Sequence, residues 1–148
     1  MVCAIAGELA FQGARAETTS VQKMIDALSA NNGYDNRLWH NGWVALDQVP
    51  LNNTEASETT SQPTYDAARE LAVVFDGRLT NRDELCAELA RDHRFRTVTD
   101  ADVILAAYDT WGEDFVTHLH GEFVIALADL RRQRLLLCRD RLGIKPLF

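Results

Sequence analysis

An α+β layered domain is what this sequence predicts, and three observations predict it. Residues 71–75 and 122–129 are short, nearly all-apolar runs, as expected of strands covered on both faces. The segments around them carry helix-start signals and apolar residues at helical spacing, so helices are available to do the covering. Residues 122–129 and 134–138 are joined by Leu130-Arg131-Arg132-Gln133, which reads as an antiparallel hairpin. With 148 residues, 47% of them hydrophobic, the chain has the size of one domain and can bury a sizeable core.

Each element follows in order. Residues 2–9 alternate loosely between small and apolar side chains before Phe11 and Gly13, a first, largely buried strand that places Cys3 inside the fold. Val21, Met24, Ile25 and Leu28 then fall at helical spacing, with Ser20 as N-cap and Asn31-Asn32-Gly33 as the stop. Residues 39–46 read as one strand packing Trp39, Trp43 and Val44, and residues 48–62, rich in Asn, Thr, Ser and Glu, as a loop. The strand at 71–75 is stopped by Asp76-Gly77. Asn81, with Glu84 three residues on, caps a helix that ends near Ala90. Thr99 and Asp102 open the next, a helix over 102–110 with Val103, Ile104, Ala107 and Trp111 facing inward and Gly112 at its end. A short helix covers 115–119 before the hairpin. The chain has no internal repeat.

Composition excludes several classes of function. The longest apolar runs fall short of the roughly 20 residues a membrane-spanning helix needs, and no basic stretch leads into an apolar one near the amino terminus. No membrane partner is expected, and the simplest location is the cytoplasm. A net charge of -7 and a pI of about 5.0 oppose binding to a phosphate backbone. The Arg131-Arg132-Gln133-Arg134 cluster therefore reads as a solvated turn, not a nucleic-acid patch. Cys3, Cys86 and Cys138 are odd in number and widely spaced, which suggests neither a disulfide scaffold nor a zinc site. His118 and His120 could chelate only on a strand and have no partner ligands nearby, so no metal is expected.

Five ordered motifs span nearly the whole chain: Cys3-Ala4-Ile5-Ala6-Gly7; Phe75-Asp76-Gly77-Arg78-Leu79-Thr80-Asn81; Thr99-Asp100-Ala101-Asp102-Val103; Trp111-Gly112-Glu113-Asp114; and Arg139-Asp140-Arg141-Leu142-Gly143-Ile144-Lys145-Pro146-Leu147-Phe148. Together they resemble the class II glutamine amidotransferase domain of the asparagine synthetase family. The first three are similar to that family's Cys-Gly-Ile-Ala-Gly, Phe-Asn-Gly-Glu-Ile-Tyr-Asn and Ser-Asp-Thr-Glu-Val. The resemblance implies an N-terminal nucleophile hydrolase-like layered domain with antiparallel sheets and flanking helices. It also implies a mechanism, in which a cysteine at the mature amino terminus uses its own α-amine as base, attacks the side-chain amide of glutamine and releases ammonia and glutamate. An α-amine titrating near ~7.7 to 8.0 beside a thiol near ~8.5 makes that proton transfer nearly isoenergetic. Carried onto this chain, Cys3 holds the nucleophile position, Asp76 and Gly77 the oxyanion-hole positions, and Asn32 and Asp100 the glutamine-binding positions.

The chain departs from the family pattern at three of these. Cys3 follows Val2, so removal of Met1 leaves an acylated Cys3 nitrogen unless a second residue is trimmed, and Cys3 then reads as a small buried hydrophobe. The family's Arg-Gly-Pro-Asp, whose arginine clamps the α-carboxylate of glutamine, is matched by Asn32-Gly33-Tyr34-Asp35. That exchange forfeits a charge-assisted contact worth roughly 1.5 to 3 kcal/mol. Asp76 stands for the asparagine of the family's Asn-Gly pair. Loss of one oxyanion donor costs ~10²- to 10³-fold in rate, and an ionised carboxylate also repels the developing charge. Asp100 matches the family aspartate that pairs with the α-ammonium of glutamine, although a carboxylate just before a helix is stabilised by the helix dipole in any case.

In the family the Leu-Gly-Ile-Lys-Pro-Leu run is followed by further strands and then by an ATP-dependent synthetase domain with a Ser-Gly-Gly-x-Asp-Ser loop. Neither occurs within residues 1–148, so the layered domain is expected to be missing its last strands. No cofactor is expected in this chain, ATP and magnesium being implied only for the synthetase domain. The implied partner is that domain or a partner chain, with self-association through an uncovered face as a further expectation. Three functions follow. The first is a structural partner of an amide-forming ligase without glutaminase activity, as in relatives that close a β-lactam ring or a peptide macrocycle using an amine of the substrate. The second is an active glutaminase working through Cys3. The third is a module that binds glutamine or another amino acid through Asp100 without chemistry. The three departures favour the first, because all weaken the same reaction.

Overall fold

A computed structural model describes residues 4–29, 37–49, 62–95 and 99–148. The elements in order are β1 (Ala4–Leu9), α1 (Thr18–Ser29), β2 (Trp39–Asn41), β3 (Val44–Val49), β4 (Thr64–Asp66), β5 (Leu71–Leu79), α2 (Arg82–Leu89), α3 (Asp100–Trp111), a 3-10 turn (Gly112–Asp114), α4 (Phe115–His118), β6 (Gly121–Asp129) and β7 (Arg134–Arg139). Among the described residues every strand pairing is antiparallel, in two sheets of order β1-β3-β2 and β4-β5-β6-β7.

Three apolar clusters show how these elements stack. Val21 and Ile25 of α1 bury against Ala45 and Val49 on one face of β3. The other face of β3, through Val44 and Leu46, meets Ala72 and Val74 of β5 and Ala126 and Ala128 of β6, so the sheets lie face to face. On the far side of the second sheet, Leu71, Val73 and Phe75 alternate with those residues and pack with Phe123, Ile125 and Leu127 against α2, α3 and α4. The result is helix on sheet on sheet on helices, the layered α+β architecture expected.

Several boundaries differ from expectation. Residues 39–46 are not one strand but the β2–β3 hairpin, with Asn41 opposite Val44 and Gly42 at φ 57° between them. The Asn41-Gly42 dipeptide is the turn signal that marks it. Gln48 and Val49 belong to β3 rather than a loop, and β4 was not anticipated; residues 50–61 lie outside the described residues. Ser20 sits inside α1, whose first turn is set by the Ser20 and Val21 amides donating to the Glu17 carbonyl. The stop assigned to residues 31–33 lies outside the described residues.

Asp76-Gly77 does not stop β5, which runs on to Leu79 in register with Gly121. Gly77 permits this by adopting φ 137°, which side chains rarely take, where β6 comes so close that a Cβ would lie 2.0 Å from the Glu122 carbonyl oxygen. Asn81 precedes α2 without capping it: its side chain bridges the His118 carbonyl and the His120 amide instead. The Thr99–Asp102 capping box forms as read, but α3 begins at Asp100, not Asp102. β7 is an edge strand, half-buried and with Leu137 54% exposed, so it is not covered on both faces. Between the β1 and β7 edges and α1 lies an apolar groove of about 620 Å³, with Leu147 and Phe148 at its rim.

Candidate functional site

β5 delivers two of the site residues side by side. Asp76 is buried, its carboxylate only 6% exposed, and Lys145 Nζ donates to its Oδ2 at 3.1 Å. A carboxylate so engaged accepts hydrogen bonds and has no N–H to offer a developing oxyanion. Gly77, the other position expected at an oxyanion hole, owes its identity to the close approach of β6 whatever chemistry occurs beside it.

The backbone before Asp76 is held by two buried side-chain amides that sequence reasoning missed. β4 pairs with β5 only as far as Val73, so Phe75 lies beyond its end. Its N–H instead donates to Gln62 Oε1 at 2.6 Å, and its carbonyl accepts from Gln48 Nε2 at 2.6 Å. Both partners are buried, where an unpaired peptide group is costly. Nothing local in the sequence links Gln48 or Gln62 to Phe75.

Nor does the sequence link Lys145 to Asp76. Lys145 is carried by a turn that Asp140 organises: the buried Asp140 carboxylate accepts the Ile144 N–H through Oδ1 and the Lys145 N–H through Oδ2, each at 2.9 Å. These bonds, the Lys145 amide first, hold the Asp140 carboxyl below the usual carboxylate range. The Asp140 N–H in turn donates to the carbonyl of Phe123, the residue paired with Gly77.

Asp100, the first residue of α3, joins that helix to the end of β5: its Oδ2 accepts the Leu79 N–H at 3.2 Å. Its side chain is 18% exposed, and Oδ1 accepts no hydrogen bond, with Arg82 Nη1 3.7 Å away. Asp100 is thus tied to β5 two residues beyond Gly77. Cys3 and Asn32 lie outside the described residues, so the structure brings together Asp76 and Gly77 and tethers Asp100 nearby along the same strand.

The other groups considered from sequence have structural partners. Arg131 pairs with Glu70, Arg132 with Asp129 and Arg134 with Glu113, which neutralises the basic turn. Burial opposes ionisation of Asp129, yet hydrogen bonds from Arg132 and Tyr108 outweigh it and hold that carboxyl below its ordinary value. Burial pushes the thiols of Cys86 and Cys138 up, which makes them poor nucleophiles. His118 stacks on Trp111 with centroids 3.9 Å apart. Among the described residues no group of three or more His, Cys, Asp or Glu could hold a metal, and no helix is long and apolar enough to cross a membrane.

Comparison with known proteins agrees with this architecture. Residues 2–148 match the glutamine amidotransferase domain family. Asparagine synthetase [glutamine-hydrolyzing] 3 of Bacillus subtilis (strain 168) is 32% identical over 99% of this chain and 24% of its own length. Amidase chry2 of Gibberella zeae is 36% identical over 82% of the chain and 18% of its own length, and asparagine synthetase [glutamine-hydrolyzing] 2 of Oryza sativa subsp. japonica is 38% identical over 59% and 15%. This chain therefore spans about a quarter or less of the length of these relatives. Among solved structures, the glutamine phosphoribosylpyrophosphate amidotransferase of B. subtilis superposes with a TM-score of 0.58 over 96% of this chain and 32% of its own, at 17% identity, a likeness of fold. The chain belongs to the glutamine amidotransferase domain family and is a domain like that of asparagine synthetases.

Proposed function

We propose that this domain has lost glutamine hydrolysis and acts as the structural, amidotransferase-like partner of an ATP-dependent, amide-forming synthetase part. The observation that carries this reading is the Asp76–Lys145 ion pair. At the position matching the family's oxyanion asparagine stands a buried carboxylate already bound by an ammonium. The missing donor costs ~10²- to 10³-fold in rate. Val2 ahead of Cys3 and Asn32 in place of the clamping arginine point the same way. Residues 1–148 are one domain on this reading, and ATP with magnesium serves the synthetase part, which accounts for the greater length of the relatives. The cytoplasm remains the proposed location.

One observation favours a second reading, an amino-acid-binding module: Asp100 Oδ1 is buried and accepts no hydrogen bond, so an α-ammonium that displaced Arg82, 3.7 Å away, would find an acceptor there. Calorimetric titration with glutamine separates the two, heat of binding without turnover being the mark of the module.

The test is glutamate release from glutamine by the longest natural polypeptide. No release above background is expected, while amide formation with a substrate-borne amine proceeds with ATP. Release that disappears in Cys3→Ala would overturn the reading in favour of an active glutaminase.

A further inference from the structure

We propose that Lys145 is a positioning residue for Asp76, held in place by Asp140, and that it decides which atom of residue 76 is left free. The proposal deepens the preceding section and rests on it for the meaning of position 76.

Four links close a ring. Gly77, next to Asp76, pairs with Phe123 of β6. The Phe123 carbonyl accepts the Asp140 N–H at 2.9 Å. The Asp140 carboxylate accepts the Lys145 N–H, and Lys145 returns through Nζ to Asp76 Oδ2. Both ends of the Lys145 side chain are therefore constrained, its backbone by Asp140 and its ammonium by Asp76. A contact between residues 69 positions apart becomes as defined as a local one.

The residue type matters as much as the ring. The chain holds 15 basic residues, yet only Lys23 and Lys145 are lysines. An arginine fork would seize both oxygens of a carboxylate, whereas an ammonium is a compact donor that can claim one. Lys145 claims Oδ2 and leaves Oδ1 of Asp76 as an acceptor. Were residue 76 an asparagine, the same ammonium would take its single oxygen and leave the NH₂ group as a donor. Lys145 thus orients whatever stands at position 76, and the identity of that residue alone sets the sign of the free group.

Amine labelling reads this directly, because mass mapping distinguishes Lys145 from the exposed Lys23. The longest natural polypeptide is treated with a limiting N-hydroxysuccinimide ester of acetate, and modification at each lysine is followed over time. Lys145 is expected to label on the order of tenfold more slowly than Lys23 in the wild type. Asp76→Asn, which keeps one acceptor oxygen, should stay slow. Asp76→Leu should raise Lys145 labelling about tenfold, and so should Asp140→Ala although Asp76 is intact, an effect that a merely local ion pair would not give. Lys23, exposed in the folded protein, normalises the reagent dose, and a cooperative thermal unfolding transition by circular dichroism shows that each variant is folded when labelled. Equal rates at Lys145 and Lys23 in the wild type would overturn the proposal, as would a Lys145 rate unmoved in both Asp76→Leu and Asp140→Ala. A protected Lys145 combined with Cys3-dependent glutamate release would leave the ring standing and remove the loss-of-glutaminase reading.

Discussion

Gly77 and Asp76 sit one bond apart and answer to different physics. Gly77 is fixed by space: at φ 137°, with the Glu122 carbonyl oxygen 2.0 Å from where a Cβ would sit, no side chain fits without moving β6. Gly77→Ala should cost more than ~3 kcal/mol, read as a lowered urea midpoint, since it combines backbone strain with a clash against main chain. Asp76 is fixed by charge, through Lys145. Motif comparison marked Asp76, Gly77 and Asp100 from the sequence. It could not mark Lys145, Gln48 or Gln62 as their neighbours, because those contacts arise only when distant strands and turns fold together.

At the scale of elements, what was readable was what is local. The Thr99–Asp102 capping box, the Gly112 stop and the β6–β7 hairpin depend on residues a few positions apart, and all three form. Two of the misread elements turn on glycine. Asn41-Gly42 folds residues 39–46 into a hairpin, while Gly77, which resembles a stop, lets β5 continue. The 140–145 turn supplies a pH-dependent element. Its carboxylate, Asp140, is depressed chiefly by the Lys145 amide, so its contribution to stability is present above its unfolded value near 3.8 and is lost as pH falls below it. Amide hydrogen exchange should therefore show the Ile144 and Lys145 protons losing protection as pH falls below 3.8 and through the lower value of the folded state. In Asp140→Asn that acid dependence should flatten, because the asparagine has no proton to gain.

For the whole molecule, composition indicated one domain with a substantial core but could not say how many layers it has. The resemblance carried by the five motifs implied a layered domain with antiparallel sheets and flanking helices, and the three apolar clusters show that it is built as two stacked sheets between helices. The central contact between the sheets uses Ala72, Ala126 and Ala128 beside Val44, Leu46 and Val74, small side chains that let the sheets approach. Within this frame we propose that the family relationship and the chemistry part company. The layers are those of a glutamine amidotransferase domain, and on the proposed reading the carboxylate of Asp76, bound by Lys145, is an acceptor where the family pattern has a donor. The most direct measurement is the intact mass of the longest natural polypeptide after exposure to a glutamine analogue bearing an electrophile at the side-chain carbonyl position. The account predicts an unmodified mass in which Val2 still precedes Cys3. A single adduct mapped to Cys3, with Met1 and Val2 absent from the mass, would contradict it.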